Sequence, residues 1–346
     1  MAKIPEVHLE TWKSLYAEAQ RFSQSKPWQR IDESLFFAVQ GPATGQMGYA
    51  CILGSLGEFL ALSVYRGAEG FGAYQAMLLD EPALDEESAF KQDCLMAQFT
   101  DSKYVETADR KVIRALGLKF EGHNAWPLFR SYRPGYFPWH LDQQEAAFLT
   151  LALRCACDWV EKLSSSTLNS AEAPGQIFTY LPKAGGSPEL SDYENAWTQP
   201  PAEVPQQPAV LDPARLARLQ AKPLKKGGVW EAEVFYLPIT IADQDRPYHA
   251  RLVLLVDQDS GFILPGGVMP PGKTAAQLLA DAVLGAVEEV GCLPEEIRLR
   301  DRSVLPALQA AGQALGVHVK IGRFRSLPQA KKSLVKRFAS QGRGNY

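Results

Sequence analysis

Three groups of residues in this sequence have the types and spacing to do chemistry, and each would do a different one. Gly267-Val268-Met269-Pro270-Pro271-Gly272-Lys273-Thr274 satisfies the phosphate-loop pattern G-x-x-x-x-G-K-[ST]. Such a loop aims consecutive backbone N–H groups at phosphate oxygens, and Pro270 and Pro271 remove two of those donors. No later apolar run ends in an aspartate placed to bind magnesium, so the string does not predict a nucleotide site. The second group is Asp257, Asp259 and Asp301, the first and last of which end strand-like runs. Carboxylates so placed can hold divalent metals beside a phosphodiester. They suit a structural role as well, with Asp257 and Asp259 shaping a tight turn and Asp301 capping a helix that begins near residue 303. The third group is cationic and aromatic. Residues 126–139 hold Trp126, Phe129, Arg130, Tyr132, Arg133, Tyr136, Phe137 and Trp139 without one acid. Arg130, Arg133 and Trp139 there could stack bases and contact phosphates, or could pin a strand and loop over the core.

A further charge feature lies at the end of the chain. After Asp301 there is no acidic residue, yet Arg302, Lys320, Arg323, Arg325, Lys331, Lys332, Lys336, Arg337 and Arg343 follow. Leu327, Ala330, Leu334 and Phe338 recur at helical spacing and should pack inward, which leaves Lys332 and Lys336 together on the outer face. That face is either a solvated helix surface or a contact for nucleic acid or an acidic protein. Contacts to nucleic acid would be to phosphate, since nothing beside these lysines suits base edges.

The elements that must position these groups follow from periodicity. Residues 7–24 repeat apolar groups at helical spacing, and strand-like runs at 35–40, 49–53 and 59–65 suit an antiparallel meander. A helix near 74–79, a strand near 95–99, and helices near 110–116 and 143–163 complete an N-terminal α+β domain over residues 1–182. Residues 183–213 crowd Gly185, Gly186, Pro188, Pro200, Pro201, Pro205, Pro208 and Pro213, the composition of a linker. Residues 214–346 then read as strands at 229–240, 249–256, 262–264, 297–300 and 317–321 with helices at 274–290, 303–315 and 327–339. This is a C-terminal α/β domain with a basic last helix.

A chain of 346 residues, 46% hydrophobic and 22% charged, is long enough for two cores and too apolar for a disordered protein. No apolar run reaches the ~18–20 residues that cross a bilayer, and Met1 to Glu6 lacks the apolar core of a secretory signal. A cytoplasmic protein without a membrane partner is expected. The cysteines (Cys51, Cys94, Cys155, Cys157 and Cys292) are odd in number with no C-x-x-C pair, so buried thiols are expected rather than disulfides or zinc. His8, His123, His140, His249 and His318 are dispersed, and no cofactor is implied.

Three resemblances bear on these readings. Leu264-Pro265-Gly266-Gly267 with Glu288-Glu289-Val290-Gly291 resembles the two ends of a Nudix box. Leu284 and Gly285 stand where that motif needs glutamates, so its magnesium chemistry is not implied. A strand ending at Asp257, a hairpin, a returning strand, a helix and a strand ending at Asp301 resemble the front of a ribonuclease H or integrase fold. That resemblance implies a degenerate domain, because the chain after Asp301 lacks the further carboxylate the fold's nucleases take from a later helix. Gln92-Asp93-Cys94-Leu95-Met96-Ala97, Leu116-Gly117-Leu118-Lys119-Phe120 and residues 126–139 resemble a bacterial two-domain family. Both of its domains are catalogued as domains of unknown function, and Leu254-Leu255-Val256-Asp257, Pro294-Glu295-Glu296-Ile297 and Leu315-Gly316-Val317 extend the likeness. Some relatives add a cysteine-rich zinc motif at the C-terminus, whereas this chain ends in Gly342-Arg343-Gly344-Asn345-Tyr346. The expectation is a non-enzymatic binding protein; its competitor is a metal-dependent nuclease or phosphohydrolase using Asp257 and Asp301, the one reading that requires a divalent metal.

Overall fold

The computed structural model describes residues 2–57, 59–79, 90–165, 173–202, 209–269 and 271–342. Two units divide the chain, one of Ala2–Pro134 with Pro138–Val204, the other of Pro205–Tyr346 with Gly135–Phe137. No helix among the described residues is long and apolar enough to cross a membrane.

The N-terminal unit opens with α1 (Leu9–Gln24), whose buried Leu15, Tyr16, Ala19 and Phe22 share the inward stripe that the periodicity required. The expected meander follows as β1 (Phe36–Gln40), β2 (Met47–Leu53) and β3 (Leu60–Arg66). Then come α2 (Gly67–Leu79), β4 (Cys94–Thr100), α3 (Thr107–Ala115), β5 (Trp126–Tyr132), α4 (Gln143–Ser164), β6 (Ile177–Pro182) and β7 (Tyr193–Thr198). The strands form one sheet in the order β5-β4-β3-β2-β1-β6-β7, antiparallel except for the β1–β6 pair. One face packs on α1, α3 and α4 through Phe37, Ile52, Leu62, Leu95, Leu149 and Trp159; the other packs under α2 through Tyr49, Tyr65, Phe71 and Tyr74. Both α3 and α4 start with reciprocal capping, Glu106 with Asp109 and Asp142 with Glu145.

The C-terminal unit runs α5 (Pro213–Gln220), β8 (Lys225–Lys226), β9 (Val229–Ile241), β10 (Tyr248–Asp257), β11 (Ile263–Met269), α6 (Ala275–Val290), β12 (Cys292–Leu293), β13 (Glu296–Leu299), α7 (Leu305–Leu315), β14 (His318–Ile321) and α8 (Leu327–Gly342). The main sheet has the order β11-β10-β9-β13-β14. Its first three strands are antiparallel, whereas β13 and β14 run parallel to β9, and helices follow the third, fourth and fifth strands. This is the ribonuclease H-like order. Strand alternation gives β9 two faces: Trp230, Ala232 and Val234 meet the core under α6 and α7, while Phe235 and Leu237 meet α8.

The structure corrects three details. Tyr193–Thr198 lies within the stretch 183–213 read as linker, yet it pairs along its length with β6 as an edge strand. The prolines flank it instead of interrupting it, and Pro213 takes the first turn of α5, where no N–H is needed. The unit boundary therefore follows β7, at Val204 and Pro205; residues 203–208 lie outside the described residues. The strand expected at 262–264 runs on to Met269, because Pro265 sits on an edge strand and Gly266 fits where a Cβ would stand 2.4 Å from the Val253 carbonyl oxygen. Finally, β5, β6 and β7 complete a seven-stranded sheet beyond the meander.

Candidate functional site

The polar side chains of the C-terminal sheet gather on the face toward α8, and Glu231 of β9 is the most deeply placed. It is fully buried, and its two carboxylate oxygens accept the backbone N–H groups of Arg325, Ser326 (3.0 Å) and Leu327 (2.7 Å). The N–H groups of Leu327, the first residue of α8, and of the two residues leading into it are thereby satisfied by a carboxylate from a strand. Two residues on, Glu233 pairs with Lys331 of α8 at 2.9 Å, and the same ammonium lies 4.3 Å from the Phe235 ring. Across the β9–β13 pairing, Glu296 binds Arg298 at 2.5 Å and Lys320 at 2.7 Å. Burial works to raise the Glu296 carboxyl, but Lys320 and Arg298 outweigh it and hold the group below its ordinary range. The sequence did not mark Glu231 out. Alternation of Glu231 and Glu233 with apolar neighbours reads as the solvent side of a half-buried strand, and only α8 folding over that side reverses the reading.

The carboxylates singled out from sequence are kept apart. Asp257 accepts the Ser260 N–H (2.9 Å) and the Ser260 hydroxyl (2.6 Å) and closes the β10–β11 turn, the structural role foreseen for it. Asp259 is exposed in that turn. Asp257 stands opposite Trp230, which stands opposite Ile297, four residues before Asp301. Asp257 thus ends β10 beside the start of β9, whereas Asp301 follows the far end of β13, which runs parallel to β9, so the two are separated both across and along the sheet. Carboxylates sharing a two-metal site flank ions only ~3.5–4 Å apart, and the strand register does not bring these two residues side by side. Among the described residues no group of three or more His, Cys, Asp or Glu side chains is placed to hold a metal.

The last helix presents its charge as expected. Leu327 is buried, Ala330, Leu334, Val335 and Phe338 pack against the sheet, and Lys332 and Lys336 are exposed. Lys331 departs from the expected flanking role through its pairing with Glu233. Arg343 lies outside the described residues.

In the N-terminal unit the cationic segment meets a different fate. Arg130 is buried and binds Asp109 through both terminal nitrogens, at 2.9 and 2.8 Å. Arg133 pairs with Glu145 at 2.9 Å, and Arg66 joins the same carboxylate at 2.7 Å. Burial tends to raise the Glu145 carboxyl, but hydrogen bonds from Arg133, Ser131 and the Asp142 N–H hold it below its ordinary range. The Trp139 indole N–H donates to the Lys3 carbonyl at 3.2 Å. Arg130 of the edge strand β5 and Arg133 just beyond it are thus tied to α3 and α4, which is the pinned strand and loop that was the alternative to a base-stacking surface of Arg130, Arg133 and Trp139.

The phosphate-loop string is likewise divided among structural roles. Gly267–Met269 belongs to β11, and Pro270 lies outside the described residues. Lys273 pairs with Asp281 at 2.9 Å, and the Thr274 hydroxyl caps α6 by accepting the Gln277 N–H. At the Nudix-like positions, Leu284 is core and Glu288 binds Arg215 at 2.7 Å.

Fold and site together define a two-unit α/β protein whose second unit has ribonuclease H-like topology, with its strand-borne acids held in structural bonds. Residues 12–179 match the family model described as "Domain of unknown function (DUF7309)", and residues 215–335 match "Domain of unknown function (DUF6930)". The chain thus carries both domains of the two-domain family that its sequence resembles. No curated protein matches it. Among solved structures it is similar to the HTLV-2 integrase catalytic core domain in complex with magnesium, at 17% identity over 34% of this chain and 76% of that one, with a TM-score of 0.26. The BIV integrase catalytic core gives 16% identity, 34% and 74% coverage and a TM-score of 0.25. The simian T-cell lymphotropic virus intasome in complex with PP2A regulatory subunit B56 gamma gives 15%, 36%, 45% and 0.27.

Proposed function

We propose that this is a non-enzymatic binding protein that contacts the phosphate backbone of nucleic acid through the basic end of its C-terminal unit. The observation that carries the reading is the asymmetry on either side of α8. On the inner side Glu231, Glu233 and Glu296 are engaged by α8, Lys331, Arg298 and Lys320. On the outer side Lys332 and Lys336 are exposed one turn apart. Those three carboxylates are matched in number by Lys331, Arg298 and Lys320, so Lys332 and Lys336 stand as excess positive charge on the outer face of the helix. No cofactor is needed. Action in the cytoplasm accords with five cysteines that are all unpaired thiols.

The test is oligonucleotide binding by the wild type and by a Lys332→Glu, Lys336→Glu double variant at two salt concentrations. The wild type should bind with little sequence preference, with a salt slope that steepens by ~0.7–0.9 per phosphate neutralised. The variant should bind more weakly, with a shallower slope. Absence of wild-type binding at low salt, or identical slopes for both proteins, refutes the proposal. Capture of an acidic protein without nucleic acid would refute it in favour of that partner class, and magnesium-dependent cleavage lost in Asp301→Asn would restore the enzymatic reading.

A further inference from the structure

The parallel pairing of β13 with β14 runs from Glu296 opposite His318 to Leu299 opposite Ile321. Both strands therefore leave the sheet at the same end, and their following loops emerge side by side, tied by the Gly322 N–H to the Leu299 carbonyl at 3.0 Å. Those loops, 300–304 and 322–326, carry Arg300, Arg302, Arg323 and Arg325 against a single acid, Asp301. All four arginines are exposed, whereas Arg298, Lys320 and Lys331 nearby are paired with Glu296 and Glu233. Resting on the reading above, we propose that this end of the sheet is its phosphate-binding site, with the guanidinium groups of Arg300, Arg323 and Arg325 gripping successive phosphodiesters of a polynucleotide.

Two features make the cluster a built site. The Arg300 guanidinium lies 5.1 Å from the centre of the buried Phe324 ring, which fixes the plane of its donors. Glu231 holds the N–H groups of Arg325, Ser326 and Leu327, so the backbone that carries Arg323 and Arg325 is pinned from below. Phe324 points inward between them, which turns its two neighbours outward. Donors fixed before binding lose less freedom when they bind. The same bonds decide which groups do the binding. A phosphate cannot take the amides that open α8, because Glu231 has them, so recognition falls to the guanidinium forks. These match phosphate oxygens two at a time. Four arginines against Asp301 and the Glu231 carboxylate beneath them leave more positive charge than a single phosphodiester neutralises, and this favours a chain of phosphates.

The experiment is fluorescence anisotropy of a labelled oligothymidylate of roughly 20 nucleotides on the full chain, with circular dichroism and unfolding midpoints confirming that the exposed substitutions leave the fold intact. Arg323→Ala with Arg325→Ala should weaken binding at least tenfold, about the effect of one lost charge-assisted hydrogen bond, and flatten the salt slope by about 1.4 through two lost contacts to single strands. Arg300→Lys keeps the charge but loses the fork, so affinity should fall while the slope stays. If the double variant binds like the wild type while Lys332→Glu, Lys336→Glu is impaired, the site is overturned and the general reading survives. If Arg300→Lys is indistinguishable from the wild type, fork recognition is overturned. No oligonucleotide binding by the wild type overturns both.

Discussion

Two regions of this protein look alike in sequence and differ in structure. Residues 126–139 and the chain after Asp301 are both cationic and both free of acid. In the first, carboxylates arrive from elsewhere: Asp109 from the first turn of α3 and Glu145 from the first turn of α4, each a member of its helix's capping pair. They take up Arg130, Arg133 and Arg66. In the second, α8 brings no acid of its own, and the sheet offers Glu233 to Lys331 and Glu296 to Lys320 while Glu231 is occupied by amides. An acid-free run in sequence is therefore evidence about a surface only after the helix starts that face it have been located.

The largest expected effect breaks the first region. Asp109 and Arg130 are both about nine-tenths buried, so Asp109→Ala strips the guanidinium of its two-pronged partner and leaves it the more exposed Glu106 at 3.4 Å and the Phe129 carbonyl, at a cost of about 3 kcal/mol, the low end for breaking a buried pair. The same kind of truncation in the second region, Arg323→Ala, should stay within about 0.5 kcal/mol. Urea unfolding of the two variants measures the contrast, and equal losses would erase the distinction between a structural and a displayed arginine.

Next in size is the pin beneath the second region. Glu231→Ala removes the acceptor for three N–H groups and should cost about 2–3 kcal/mol. Hydrogen exchange should report it as lost protection in the first turn of α8, with α6 and α7 unchanged. Uniform loss of protection across the unit would show that Glu231 supports the whole sheet and not the loop of Arg323 and Arg325.

A smaller effect separates the regions by pH. Burial, followed by the Arg130 charge, pushes His140 below its ordinary range, against the pull of Asp109 and Glu106. Folded His140 thus resists protonation, and stability should decline as pH falls below the unfolded value of ~6.5. Glu145 has the opposite sign of charge and a depressed folded value. Its contribution is present above ~4.3 and is lost as pH falls through that lower value. Unfolding of wild type and His140→Gln between pH 7 and 5.5 should show the first decline flattened in the variant, and parallel curves would remove His140 as its cause.

Much of the fold was legible because periodicity carries it. α1, α4, β9, β10 and α6 lie within a few residues of their expected places, and the inward stripe of α8 was read residue by residue. β7 was missed because the prolines around it spoke louder than its own Tyr193 and Trp197. Of the site, Lys332 and Lys336 were placed by helical spacing. Glu231 was illegible, since its meaning depends on a helix arriving from about ninety residues later. The arginines at 300, 302, 323 and 325 come together only through the parallel register of β13 and β14, which no local pattern encodes.

The smallest expected effect sharpens the comparison at a third cationic position, Lys273. Its string matches a phosphate loop, yet its partner is Asp281 at 2.9 Å, and both side chains are substantially exposed. A surface pair of this kind contributes about 0–0.5 kcal/mol, because water and salt screen the charges and ordering two side chains offsets the attraction. Gly267–Met269, which in a phosphate loop would bend around the anion, are instead strand residues paired with Arg251–Val253. The Thr274 hydroxyl that would meet magnesium accepts the Gln277 N–H. Lysine in this position therefore behaves like Arg130 and Arg133, tied to a nearby carboxylate, and unlike the arginines beside β14. Lys273→Ala should unfold within about 0.5 kcal/mol of the wild type, and magnesium-ATP should raise the melting temperature of neither protein. Stabilisation of the wild type by the nucleotide, absent in Lys273→Ala, would move Lys273 from the paired class to the displayed one.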